Sequence, residues 1–194
     1  LSVLVVGLGN REITPDALGP RVADNMMITR HVIREFGKYA LGAEHSNLIS
    51  SIVPGVMAQT GMESLEIIRG VIRETEPDCI VAVDALAARS VKRLNRTIQI
   101  TNTGINPGSG VGNHRHGLNR ESVGIPVIAI GVPTVVDAAT IVNDAISGYY
   151  EEVDCTLNSF FVTPKDIDES IKRLSFTISE GLNLAFEKTA CTNS

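Results

Sequence analysis

The 194-residue chain is 43% hydrophobic and 20% charged, enough apolar content for one domain with a real core and too much for a disordered segment. Its formal net charge is −5, with acidic and basic residues interspersed, which argues against a duplex-DNA binder because phosphate contacts need a basic face. No apolar stretch reaches the roughly 18 residues of a membrane span and no signal-peptide pattern is present, so a cytosolic setting is expected.

The chain opens "LSVLVVGLGN" with no initiator Met, as expected of a processed product or an incomplete stretch of a longer chain. Leu1 to Gly7 is an apolar, β-branched run, the pattern of a strand buried on both faces. "GLGN" then turns the chain into "TPDALGPRVADNMMITRHVI", where Leu18, Val22 and Met26 predict one buried helical face. Thr14 or Asp16 is expected to cap that helix, with Pro15 and Pro20 in its first turn or just outside. Met26 and Met27 read as core filling. "SNLISSIVPGV" reads as a second strand closing at Pro54-Gly55, and "MESLEIIRGVIRETEPD" as an amphipathic helix ended by Pro77. "CIVAVDAL" is the third strand, with Asp84 at its carboxyl end, and "TIQIT" the fourth. After the glycine-rich "TNTGINPGSGVGNHRHG" come strand "IPVIAIGV" and helix "PTVVDAATIVNDAISGYY". The less regular link from Tyr149 to Phe161 leads to "TPKDIDESIKRLSFTISEGLNLAFEK", a helix expected to start on a Thr cap and to bury Leu174, Ile178 and Leu182. Apolar strands alternating with amphipathic helices predict an α/β fold, a mainly parallel sheet flanked by helices on both faces.

Ligands of such sheets bind at the carboxyl ends of the strands, where the strand order reverses. Asp16 follows the first strand and Asp84 ends the third, so strand-end geometry can bring two carboxylates together. Two carboxyl groups in a partly desolvated cleft can divide the work, one holding a proton as acid while the other polarises a water. That arrangement suits metal-free peptide hydrolysis. The residues alone fit equally well a helix cap at Asp16 and an ion pair between Asp84 and Arg89.

The remaining features carry less. "GLGN" is not followed by a G-x-G-x-x-G pattern, so a tight turn explains it better than a nucleotide site. In the glycine-rich loop, Gly108, Ser109, Gly110 and Asn113 are candidates to line a cleft for an extended peptide; a plain surface loop is the other reading. His114 and His116 lack the context of a metal site, and His31 and His45 read as helix-end or loop residues. Ser90 and Ser109 lack a nucleophile-elbow context. Asp137 reads as a carboxylate favouring the start of a helix. Cys79, Cys155 and Cys191 show no paired spacing, which fits structural thiols in a reducing compartment.

"LVVGLGN", "TPDALGPRV", "IVPGVM", "VAVDALAARS", "TIQITNTGINPGSGVGN", "GIPVIAIGVPTVVDA" and "VTPKDID" occur in this order and together resemble the germination proteases of endospore-forming bacteria. The resemblance implies an atypical aspartic endopeptidase that degrades small acid-soluble spore proteins during germination in the spore core. It implies a fold similar to the hydrogenase-maturation endopeptidases. Its acidic blocks map onto Asp16 and Asp84, with no metal or other cofactor required. It further implies a zymogen, a homotetramer, no direct nucleic-acid contact and no membrane contact. On this reading residues 1–194 are a single peptidase domain lacking the family's N-terminal segment and part of an insertion near 149–161. The family loop commonly has Lys and Arg after "GVGN", where this chain has "HRHG". Metal-assisted cleavage by the same carboxylates, in the manner of the maturation proteases, and an inactive substrate-binding form are the alternatives.

Overall fold

The computed structural model describes residues 1–41, 47–107, 117–146 and 155–187. Strand β1 (Ser2–Gly7) lies between β2 (Leu48–Ile52) and β3 (Cys79–Ala88), parallel to both. β3 pairs in parallel with β5 (Val127–Asp137), and the short β4 (Gln99–Thr101) closes that side antiparallel to β5. The strand order is β2-β1-β3-β5-β4, while β6 (Phe161–Val162) pairs antiparallel with the far end of β5. The sheet is therefore mainly parallel, as expected, and its order reverses between β1 and β3.

Alternation along the strands sorts the core into two layers. Val3, Val5, Val81, Val83, Ile130 and Val132 face helices α1 (Leu18–Asn25) and α7 (Ile167–Glu187), where Leu18, Val22, Met26, Ile171 and Ile178 meet them. Leu4, Val6, Ile80, Ala82 and Val127 face the other way, onto Leu65 and Ile68 of α4 (Ser64–Thr75). Helices thus cover both faces. The amphipathic α4 starts with a reciprocal cap between Glu63 and Glu66 and stops at Glu76 (φ +45°), just ahead of Pro77. Shorter helices α2 (Arg30–Phe36), α3 (Met57–Thr60), α5 (Arg120–Val123) and α6 (Ala138–Ala145) occupy the connections.

Several sequence expectations need correction. The helix expected from Thr14 onward breaks at Met26, which is extended (ψ 138°), and resumes as α2. The break follows from tertiary pairing: Thr29 N–H donates to the Ile49 carbonyl at 3.1 Å, and Ile49 N–H donates to Thr29 Oγ1 at 2.9 Å. Met26 is core, but Met27 is exposed. Neither Thr14 nor Asp16 caps α1; both lie in a separate 3-10 turn, Thr14–Asp16. Asp84 does not end β3, which continues for four residues beyond it. The "PTVVD" segment belongs to β5, and α6 begins only at Ala138, with Asp137 Oδ1 accepting from Thr140 N–H at 2.7 Å. Thr163 is not the cap of α7, which starts at Ile167; Leu174 and Leu182 are half-buried beside the buried Ile178.

Candidate active site

β1 leaves the sheet through Gly7, Leu8 and Gly9, each under tight local constraint. A Cβ on Gly7 would stand 2.3 Å from the Gly19 carbonyl oxygen, and one on Gly19 would stand 2.3 Å from that of Leu8. The first turn of α1 therefore rests directly on the end of β1. Gly9 takes φ +113°, which reverses the chain as "GLGN" leads one to expect. The turn returns Asp16 towards the strand end, where its Oδ2 accepts from Asn10 N–H at 2.7 Å. Asn10 Oδ1 in turn accepts from Glu12 N–H at 3.0 Å and Gln59 Nε2 at 3.2 Å.

Asp84 lies one residue past the last β1–β3 pair, Gly7 with Val83. Only 3% of it is exposed, and its Oδ1 accepts from Ala85 N–H at 2.9 Å. By alternation its side chain lies on the α4 face, with Ile80 and Ala82. Burial of a carboxylate is costly unless hydrogen bonds compensate it, so this position is specified by more than packing.

β5 holds the turn that carries Asp16. Register slips between β3 and β5 after Leu86 and Pro133, so Thr134 is an extra residue, a bulge. Buried Thr134 donates from Oγ1 to the Pro15 carbonyl at 2.7 Å, while Thr163 Oγ1 donates to the Thr134 carbonyl at 2.9 Å. Sequence reading passed over Thr134 and took Thr163 for a helix cap. The signal was available for the first: a polar residue inside the β-branched "VPTVV" is poorly explained by a helix start.

Asp16 and Asp84 line the same cleft, a space of about 430 Å³ at the carboxyl ends of β1, β2, β3 and β5. Leu8 to Asn10, Gly55 and Val56, Ala85 to Ala87 and Thr134 complete much of its wall. This is where an open α/β sheet with a reversal between β1 and β3 presents its ligand site. Pro107 also lines it; Gly108, Ser109, Gly110 and Asn113, like His45, His114 and His116, lie outside the described residues. His31 is exposed in α2. No group of three His, Cys, Asp or Glu side chains is placed to hold a metal among the described residues. Two aspartates at one strand-end cleft supply groups able to exchange protons with a bound molecule.

A second depression, about 630 Å³ between α1 and α7, draws no residue from the sheet. It holds the Arg11–Asp24 ion pair, in which Arg11 Nη2 donates to Asp24 Oδ1 at 2.8 Å. The guanidinium holds the Asp24 carboxyl below its ordinary range, and the carboxylate raises Arg11 in turn. Half-buried Cys79 is a free thiol whose pKa is pushed up by burial, which disfavours the thiolate. No described helix is long and apolar enough to cross a membrane.

The curated relatives and the family model point to one family. The chain is 45% identical over 215 aligned positions to a germination protease of Caldanaerobacter subterraneus subsp. tengcongensis, covering 95% of this chain and 66% of that protein. It is 57% identical over 145 positions to the germination protease of Bacillus velezensis, covering 75% of this chain and 39% of the relative. The chain thus spans about two thirds, or less, of the length of these relatives. A solved [NiFe] hydrogenase maturation protease, HycI from Thermococcus kodakarensis KOD1, superposes with a TM-score of 0.44 and 20% identity, covering 92% of this chain and 90% of that one. The family model described as germination protease matches residues 1–153, more than half of the chain, and the chain belongs to that family.

Proposed function

We propose that this chain carries the active site of an endopeptidase that degrades small acid-soluble spore proteins, with Asp16 and Asp84 as its catalytic residues. The observation that supports this reading is the convergence of both carboxylates on one strand-end cleft in a member of the germination protease family. One carboxylate draws a proton from the attacking water; the other, protonated, gives its proton to the carbonyl oxygen or the leaving amine. The loop with Gly108, Ser109, Gly110 and Asn113 flanks the substrate backbone. The reading extends to a zymogen-derived homotetramer in the spore core that needs no metal. Nucleic acid enters only as the substrate's own partner.

The test is cleavage of a purified small acid-soluble spore protein by the active, full-length protein, with Asp16→Asn and Asp84→Asn beside it and a chelator in parallel. Each folded variant is expected to lose activity by about a hundredfold or more, the usual scale for a missing acid or base. Chelator is expected to leave the parent protein active; its loss would point to metal-assisted cleavage instead. Normal turnover by either folded variant would remove that aspartate from the mechanism.

A further inference from the structure

Beyond Asp84 β1 no longer accompanies β3, and one edge of β3 opens into the cleft. β1 pairs with β3 only as far as Gly7 with Val83, and the last bond between them is Leu8 N–H to the Val83 carbonyl at 2.8 Å. β3 nevertheless continues through Ala85, Leu86 and Ala87 to Ala88 alongside β5. Backbone groups alternate direction along a strand. Ile80 N–H donates towards β5, to the Pro126 carbonyl, whereas the Val83 carbonyl points to β1. Even-numbered residues of β3 therefore turn their backbone groups to β5. The odd-numbered ones, Ala85 and Ala87, turn theirs to the side that β1 has vacated.

The surroundings of this edge define what it offers. Ala85 N–H, which would continue the ladder, is taken by Asp84 Oδ1 at 2.9 Å. Among the described residues no other strand pairs with β3 past Val83 on that side, which leaves the Ala85 carbonyl and the Ala87 N–H facing the cleft. Ala85, Leu86 and Ala87 are only half-buried and all line the cleft with both carboxylates. Gly55 and Val56, which follow β2 on the other side of β1, line the same cleft. Leu86 lies over Gly131, whose missing side chain makes room for it: a Cβ there would stand 2.4 Å from Leu86 Cδ1.

We propose that the substrate polypeptide binds here as an added β-strand, in continuation of β1. One residue of it donates to the Ala85 carbonyl and accepts from the Ala87 N–H. Main-chain pairing of this kind supplies affinity with little demand on side-chain identity and selects unfolded, extended segments. This proposal rests on the endopeptidase reading and adds the geometry by which the substrate is held.

The test modifies the substrate and leaves the protein untouched. A peptide spanning a cleavage site of a small acid-soluble spore protein is N-methylated at one backbone nitrogen at a time, outside the scissile bond. Binding to the full-length protein and cleavage are both measured. Loss should recur at alternate positions, about tenfold at each nitrogen that faces β3 and little at its neighbours, because each removed hydrogen bond costs roughly that factor. Ala87→Pro, which deletes the one N–H at issue on an otherwise unpaired edge, should raise KM and leave kcat near that of the parent. Uniform loss or no loss along a peptide that is still cleaved overturns the added strand and leaves the endopeptidase standing. A protein that neither binds nor cleaves any unmodified peptide overturns both.

Discussion

Gly9 shows how narrowly one residue sets the candidate site. Its φ of +113° is a region that L side chains rarely adopt, and a Cβ would stand 2.0 Å from the Asp16 carbonyl oxygen. Gly9→Ala is therefore expected to cost about 1–3 kcal/mol from backbone strain alone. It should also displace the Thr14–Asp16 turn, lowering kcat more than it raises KM. Urea unfolding together with peptide cleavage checks this; an Ala variant of unchanged stability and activity would show that the turn relaxes freely. The turn and both aspartates were legible in the sequence, because a glycine pair after an apolar run and a carboxylate inside one are local signals. The hydrogen bonding of Asp16 was not. A cap on α1 looked natural from spacing, yet its carboxylate accepts from Asn10 N–H, a contact created by the reversal at Gly9.

Among the elements, β5 decides where the site's parts sit. Its bulge at Thr134 bonds the Pro15 carbonyl and receives the Thr163 hydroxyl, so one residue links the Asp16 turn, the sheet and the approach to α7. Thr134→Val keeps the shape but leaves the part-buried Pro15 carbonyl without its donor, at a cost of about 1 kcal/mol or somewhat more. Thr134→Ser restores the hydroxyl and is expected to recover most of the stability and turnover. A Val variant as active as the parent would remove the positioning role. The strand was read as a helix start because Pro133 followed by Thr resembles a first helical turn. Pairing with β3, which is remote in sequence, overrides that preference and tolerates the proline beside a bulge. The same cause hid the extension of β3: "ALAAR" has weak strand propensity and is extended only because β5 runs beside it. β1, α4 and the buried stripe of α7 were legible because their periodicity is strong and local.

At the scale of the molecule, one sheet supports two apolar layers that depend on different parts of the chain. The layer under α4 is assembled within the stretch matched to the family model. The other layer is closed by α7, which begins at Ile167, after that match ends at residue 153. Ile167, Ile171 and Ile178 of α7 are buried against Leu18, Val22 and Met26 of α1, the helix whose first turn rests on the Gly7–Gly9 strand end. Each such isoleucine contributes about 1.5–3 kcal/mol on burial. Losing three of them, and exposing their partners, rivals the about 5–15 kcal/mol that a whole domain commands. A chain cut after Thr163 should therefore lose its cooperative urea transition and its peptide cleavage together. Ile171→Ala, a milder change at a fully buried position, should keep the fold with stability lowered by about 2–5 kcal/mol. Cooperative unfolding of the cut chain at the parent's midpoint would mean that α7 is an accessory. The α1 layer, and the cleft turn resting on it, would then have to be held by the sheet alone.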